Sequence, residues 1–101
     1  MSAIDALRRR IDALDVRIVA LLNRRADCAL AIGEVKRRLG LEIYQPDRER
    51  EVLRHVRQVN PGPLDADAIG RLFERIIDEA RRLERLAPHG SDPGTDRGED
   101  A

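Results

Sequence analysis

Residues 21–38 read LLNRRADCALAIGEVKRR and continue an apolar pattern that starts near the N-terminus. Its apolar residues recur at alternating steps of three and four, which is typical of a helix that packs against another helix. They are Ile4, Leu7, Ile11, Leu14, Ile18, Leu21, Cys28, Ile32, Val35 and Leu39. Position 25 belongs to the same series, yet it holds an arginine. The stretch predicts a long helix with a charge on its apolar face.

The composition favours a single helical domain. The chain has 101 residues, of which 42% are apolar and 38% charged, with one Tyr, one Phe and no Trp. Such a mixture suits long helices. Because 19 basic and 19 acidic side chains cancel, nothing indicates a nucleic-acid partner. Nothing in the composition calls for a metal.

The cysteine count and the hydropathy bear on location. One cysteine excludes a disulfide within the chain, and Cys28, on the apolar seam, is expected to be a buried small hydrophobe. No apolar run approaches the ~18 residues of a membrane span, and the N-terminus lacks the apolar segment of a signal peptide. We therefore expect a cytoplasmic protein with no membrane contact.

The first helix should begin between Ser2 and Asp5, either of which can cap it, and end near Leu39, where Gly40 stops it. About 35 residues at ~1.5 Å each give a rod of roughly 50 Å. That rod is longer than a small domain is wide.

The connector that follows carries Leu41, Ile43 and Tyr44, which we expect to pack against the helices. Pro46 then suits the first turn of a second helix.

The sequence NPGP at 60–63 ends that second helix, and Asp65 caps a third. Residues 1–87 thus form one helical domain. Residues 88–101 are rich in Gly, Pro and Asp and are expected to be disordered.

Three helices of this size do not close a good core, and the long first helix would keep much of its seam uncovered. A second copy running antiparallel along the first helix would cover it. The sequence therefore predicts an all-α fold, three helices per chain with one very long, in an intertwined antiparallel homodimer.

Arg25 needs a reason to lie on the seam, because a lone guanidinium in an apolar interface costs several kcal/mol. An ion pair with a buried Glu or a snorkelling side chain would supply one. The spacing favours a third reason, an anion bound from outside the chain, since Arg25, Ala29, Ile32 and Lys36 form one helical stripe. Small apolar residues would floor a pocket with a cation at each end, about 16 Å apart along the helix. Lys36 is also the only lysine among the 19 basic residues. Its ammonium is a compact point charge, which contacts an anion differently from the planar guanidinium of arginine.

Four segments together resemble the all-helical class of chorismate mutase: LRRRIDALDVRIVALLNRR, AIGEVK, IYQPDRERE and LFERIIDEARRLE. The resemblance covers residues 4–86. It implies an intertwined helical dimer that converts chorismate to prephenate, towards phenylalanine and tyrosine, without metal or cofactor. This intramolecular Claisen rearrangement needs no nucleophile; it needs a cage that holds a flexible dicarboxylate in its reactive shape.

The resemblance also implies roles for three cations. Arg25 would hold one substrate carboxylate, and Lys36 would bridge a carboxylate and the ether oxygen. Arg8 would reach the substrate from the other protomer. The spacing agrees, because Arg8 lies 17 residues from Arg25, about 26 Å along the rod, too far to serve a pocket on its own helix.

Arg48 and Glu49 match the start of the second helix, where the family grips the substrate hydroxyl and a carboxylate. The alternative for both is that they are simple charges at the start of a helix. Glu49 shares a helix face with Val52 and Val56, which is consistent with its pointing inward.

Three positions depart from the family pattern. Gln45 stands where many members have an Asp that contacts the ring hydroxyl, and Ala80 replaces a hydroxyl residue. Glu84 takes the place of the second donor to the ether oxygen, where a protonated acid would donate and a carboxylate would repel. The alternative for Glu84 is a surface partner of Arg81 or Arg85.

Two other functions are compatible with the pattern. One is an isochorismate pyruvate lyase, which would use nearly the same cationic cage. The other is a non-catalytic helical dimer with a regulatory role, which would not account for Arg8, Arg25 and Lys36. A larger partner enzyme of the same pathway is a further possibility that the sequence leaves open.

Overall fold

A computed structural model describes residues 2–87, which form three α-helices. Helix α1 spans Ala3–Leu39, α2 spans Pro46–Val59 and α3 spans Ala66–Leu86. The predicted all-α fold with one very long helix is confirmed, and no strand is present among the described residues. The tail predicted to be disordered, residues 88–101, lies outside them.

Both ends of α1 are set by local chemistry. The Ser2 hydroxyl accepts a hydrogen bond from the Asp5 N–H at 3.0 Å. At the other end Gly40 adopts a left-handed conformation with φ of 72°, which a residue with a Cβ rarely takes. The Leu41 N–H then donates to the Lys36 carbonyl at 2.8 Å, so the last turn closes on itself.

The shorter helices begin where the sequence predicts. Pro46 occupies the first turn of α2, where its missing N–H costs nothing. The Asp65 carboxylate accepts from the Ala68 N–H at 2.7 Å and caps α3. Between the two helices, the Asn60 side chain accepts from the Gly62 N–H at 3.1 Å and stabilises the turn.

Helix α3 packs against both α1 and α2. The described chain measures 54 × 35 × 16 Å, so it is a flat, elongated body. Its only fully buried residues are Gly33 and Gly70, and Phe73, Ile76 and Ile77 on α3 are half-buried. A single chain therefore lacks an apolar core of its own.

The apolar seam of α1 lies open over its first half. Its side chains, Ile4, Leu7, Ile11, Leu14, Ile18 and Leu21, are each between 49% and 59% exposed. Cys28, expected to be buried, is also exposed because nothing in the single chain covers this face. No helix within residues 2–87 combines the length and apolar character that crossing a bilayer requires.

The connector packs less than expected. Only Ile43 is half-buried, whereas Leu41 is 53% and Tyr44 55% exposed. The prediction that all three pack against the helices was thus wrong for Leu41, whereas Tyr44 meets α3 through the Arg81 guanidinium, 5.0 Å from its ring centre. The contacts shown between the helices and the connector involve charged side chains: Lys36 donates to the Ile43 carbonyl, and Arg81 lies over the Tyr44 ring.

Candidate active site

A cavity of about 240 Å³ opens between the three helices and the connector. The C-terminal half of α1 forms its floor, the second half of α3 one wall, and the connector with the start of α2 the other. Its lining residues are Ala29, Ile32, Lys36, Ile43, Gln45, Arg48, Glu49, Ile77, Ala80, Arg81 and Glu84.

Most of the predicted site residues meet in this cavity. Those that line it are Lys36, Gln45, Arg48, Glu49, Ala80 and Glu84. Arg25 is half-buried one helical turn before Ala29, at the end of the floor, and has no ion pair among the described residues. Arg8 is exposed and lies far along α1. The chain itself thus brings six of the eight predicted residues together in one cavity, with Arg25 beside its end and Arg8 remote from it.

Lys36 holds the connector wall. Its half-buried side chain donates from Nζ to the Ile43 carbonyl at 3.4 Å. An ammonium has three donors, so this one long hydrogen bond leaves two of them for a ligand.

Arg48 and Gln45 stand at the rim. Arg48 Nη1 lies 3.2 Å from Glu51 Oε1 on the same helix, with both side chains more than half exposed. An exposed pair of this kind contributes about 0–1 kcal/mol, so Arg48 can exchange it for a ligand carboxylate. Gln45 is the N-cap residue of α2 but makes no capping hydrogen bond through its side chain, so its amide is available to a ligand.

Glu49 forms an ion pair with Arg81 across the α2–α3 interface, and Arg81 Nη1 also lies 3.5 Å from Asp78 Oδ1. The Arg81 guanidinium sits 5.0 Å from the ring centre of Tyr44. The sequence pattern was interpreted as placing Arg81 only beside Glu84, so its part in the cavity was missed. Its helical spacing from Ile77 and from Glu84 could have indicated that it faces the cavity.

Glu84 is half-buried beside the cations of the cavity. Burial raises the pKa of its carboxyl above the usual range, and the nearby Lys36, Arg37 and Arg81 lower it by a smaller amount. Among the described residues it forms no ion pair with Arg81 or Arg85, because Arg81 turns to Glu49 instead. The protonated acid therefore persists to a higher pH than in a solvated Glu.

Glu84 packs against α1 at Gly33. A Cβ at this buried glycine would lie 3.5 Å from Glu84 Cγ and 3.7 Å from Glu84 Oε2. The space between Glu84 and the α1 backbone would thus accept a methyl group in ordinary contact.

The chemistry available is binding and orientation. The cavity brings three cations, one amide and two carboxylates to a small apolar floor, and Lys36 and Arg48 are the cations whose donors are available to an anionic ligand. Within residues 2–87, no three His, Cys, Asp or Glu side chains are placed to hold a metal ion.

The described chain is thus a small helical domain with a cavity suited to a small anionic ligand. Residues 7–85 match the family model described as chorismate mutase type II. The chain belongs to this family.

Curated relatives agree with the family match. The chain is 39% identical over 97 residues to the bifunctional chorismate mutase/prephenate dehydratase of Pseudomonas aeruginosa, covering 85% of this chain and 27% of that protein. It is 40% identical over 90 residues to the protein of the same name from Neisseria gonorrhoeae, covering 83% and 24%. The chain spans about a quarter of the length of these relatives.

Solved structures share the fold over nearly their whole length. Chorismate mutase (form II) from Thermus thermophilus superposes with a TM-score of 0.83 at 35% identity, covering 85% of this chain and 98% of that one. Chorismate mutase from Helicobacter pylori, solved in complex with prephenate, gives 0.77 at 29% identity, covering 84% and 92%.

We expect Gly33→Ala to raise the free energy of unfolding by up to about 1 kcal/mol, the helix-propensity difference between Gly and Ala. The added methyl would make ordinary contact with Glu84 at 3.5 Å. Gly33→Leu should instead lower stability by about 1–3 kcal/mol, because it must displace Glu84. Urea denaturation followed by circular dichroism compares the three proteins. A destabilised alanine variant would contradict the contact geometry.

Proposed function

We propose that this chain catalyses the rearrangement of chorismate to prephenate. The observation that carries the proposal is the cavity that places Lys36 and Arg48 around an apolar floor, within a domain of the chorismate mutase type II family. The Helicobacter pylori relative was solved in complex with prephenate, which supports the same substrate class here.

The proposed mechanism is conformational and electrostatic. Chorismate must fold so that the two carbons to be joined meet while the ether C–O bond breaks, and no proton or nucleophile is required. Holding both carboxylates selects that shape and removes the entropy of reaching it in the transition state. Arg25 takes one carboxylate, and Lys36 bridges a carboxylate and the ether oxygen, where negative charge grows.

The remaining predicted residues orient the ring. Arg48 takes the second carboxylate after leaving Glu51, while Glu49 and Gln45 bind the ring hydroxyl. Ala80 has no polar side-chain atom, so it shapes the wall and any polar contact there comes from its backbone. Glu84 in its protonated form donates to the ether oxygen opposite Lys36.

We further propose that two chains form an intertwined antiparallel homodimer in which Arg8 of the partner subunit completes each site. The exposed seam from Ile4 to Leu21 supports this, since a second α1 would cover it. We place the enzyme in the cytoplasm. The names of the curated relatives join the mutase to a prephenate dehydratase, which supports a larger, prephenate-consuming enzyme as a partner.

Arg25→Ala should lower kcat/KM for chorismate by on the order of 10²–10³-fold, because one carboxylate loses its charged partner. Chorismate disappearance followed by absorbance measures this, with circular dichroism and gel filtration to check fold and assembly. The neighbouring exposed Arg24→Ala is the matched control and should keep its activity.

Separate outcomes would count against the role of Arg25 and against the mutase activity. Arg25→Ala that unfolds, or stays active, would return Arg25 to a structural role. Wild-type protein that leaves chorismate unchanged would refute the mutase, and pyruvate release from isochorismate would favour the lyase.

Subunit mixing tests the shared site. Arg8→Ala and Lys36→Ala chains should each be nearly inactive alone. Unfolded together and refolded, they should regain about a quarter of wild-type activity, because half of the random dimers then hold one intact site out of two. Mixing Arg25→Ala with Lys36→Ala is the control and should recover no activity, since each site takes both residues from the same chain. Recovery in the control, or none in the test, contradicts a contribution across the interface.

Activity should decline as pH rises through the ionisation of Glu84. Because burial raises the pKa of this carboxyl, the loss of its proton, and of its hydrogen bond to the ether oxygen, falls at a higher pH than for an ordinary Glu. Glu84→Gln should flatten the profile of kcat against pH, while the exposed Glu74→Gln should leave it sloping. A wild-type profile that is flat from mildly acidic to alkaline pH would exclude this role.

A further inference from the structure

Arg81, on α3, is a cavity residue that contacts both α2 and the connector. Among the ion pairs within residues 2–87, its pair with Glu49 alone joins two helices; the others link residues three or four apart on one helix. Its side chain is only 25% exposed, and that of Glu49 only 29%. Arg81 is therefore not an ordinary solvent-exposed charge on a helix surface.

The guanidinium uses separate parts for separate partners. Its Nη2 contacts Glu49 on α2, its Nη1 lies 3.5 Å from Asp78 on α3, and its Cζ lies 5.0 Å from the ring centre of Tyr44 in the connector. A planar guanidinium can pair with carboxylates at its edge and stack on an aromatic ring at its face, which a lysine ammonium cannot reproduce. One side chain thus ties together α2, α3 and the connector.

These ties fix two walls of the cavity. Lys36 holds the connector through the Ile43 carbonyl, and Arg81 holds the next residue, Tyr44, from the opposite helix. The same guanidinium keeps the Glu49 carboxylate at the cavity edge and compensates its charge. Without it, Glu49 would present an uncompensated negative charge to an anionic ligand.

We propose that Arg81 is a positioning residue of the site: it holds Glu49 and Tyr44 in place so that the cavity accepts a dicarboxylate. This inference rests on the proposed function for its kinetic consequences but not for its structural one. Arg81 acts through Glu49 and Tyr44 and needs no contact with the substrate.

The kinetic test replaces Arg81 with an uncharged residue of similar length. Arg81→Met should raise KM for chorismate on the order of 10-fold, because the unpaired Glu49 carboxylate then faces an anionic substrate, with a smaller effect on kcat. A merely structural role would lower the fraction of active protein, and hence the apparent kcat, at unchanged KM. Arg50→Met is the matched control, because Arg50 pairs with Asp47 within one helix and is 68% exposed.

A double-mutant cycle assigns the effect to Glu49. If the harm in Arg81→Met comes from the unpaired carboxylate, adding Glu49→Gln removes it. The double variant should then have the KM of Glu49→Gln alone. Arg81→Lys keeps the positive charge beside Glu49 but not the planar guanidinium, so it should recover only part of the affinity. If Arg81→Met does not fold, the KM of Arg81→Lys provides the test instead.

A spectroscopic test needs no substrate. Tyr44 is the only tyrosine and the chain has no tryptophan, so ultraviolet-excited emission reports on Tyr44 alone. Removing the guanidinium should raise the acrylamide quenching constant by at most about twofold, because the residue is already 55% exposed. Arg50→Met should quench like the wild type.

The outcomes separate the two proposals. Unchanged KM and unchanged quenching in a folded Arg81→Met protein would overturn the positioning role. Additive effects in the double-mutant cycle would overturn the part of that role that acts through Glu49. A wild-type protein inactive on chorismate would overturn the proposed function, while the quenching comparison would still decide whether Arg81 holds Tyr44.

Discussion

The length of α1 is the constraint on which the rest of this structure depends. Its 37 residues extend about 55 Å, whereas the 21 residues of α3 extend about 32 Å. The two shorter helices can therefore cover only part of it. Helix α3 packs on the C-terminal half, where the cavity forms, while Ile32, Val35 and Leu39 there and the apolar seam of the first half stay exposed. The same geometry puts Arg8 beyond reach of the cavity in its own chain.

The charge of the cavity depends on the different surroundings of its two carboxylates. Glu49 is paired directly with Arg81, so its negative charge is fixed and compensated. Glu84 has no such partner among the described residues, and burial raises its pKa. Three cations and two carboxylates leave one net positive charge along the lining; protonation of Glu84 leaves two. The cavity is thus best matched to a dianion when Glu84 keeps its proton.

Local chemistry made the helices predictable, and long-range contacts limited what could be predicted of the site. Ser2, Gly40, Pro46 and Asp65 mark their helix ends through neighbours a few residues away, so the sequence alone locates those ends. The stripe containing Lys36 is likewise a property of one helix. The Arg81–Glu49 pair joins residues 32 apart in a chain with many other arginines, and no periodicity selects that partner. Burial of the connector was overestimated for a related reason, since hydropathy does not show that polar contacts hold it.

The three cations that line the cavity divide into two kinds by what already occupies them. Lys36 makes one long hydrogen bond at 3.4 Å and keeps two donors, and Arg48 is engaged only in an exposed pair with Glu51 that contributes little. Both can turn to a ligand at small cost. Arg81 is instead committed to Glu49, Asp78 and Tyr44, and withdrawing it would release two walls at once. A dicarboxylate therefore meets two available cations across a cavity whose shape the third maintains, and the tightness of that cavity depends on a residue that need not touch the ligand.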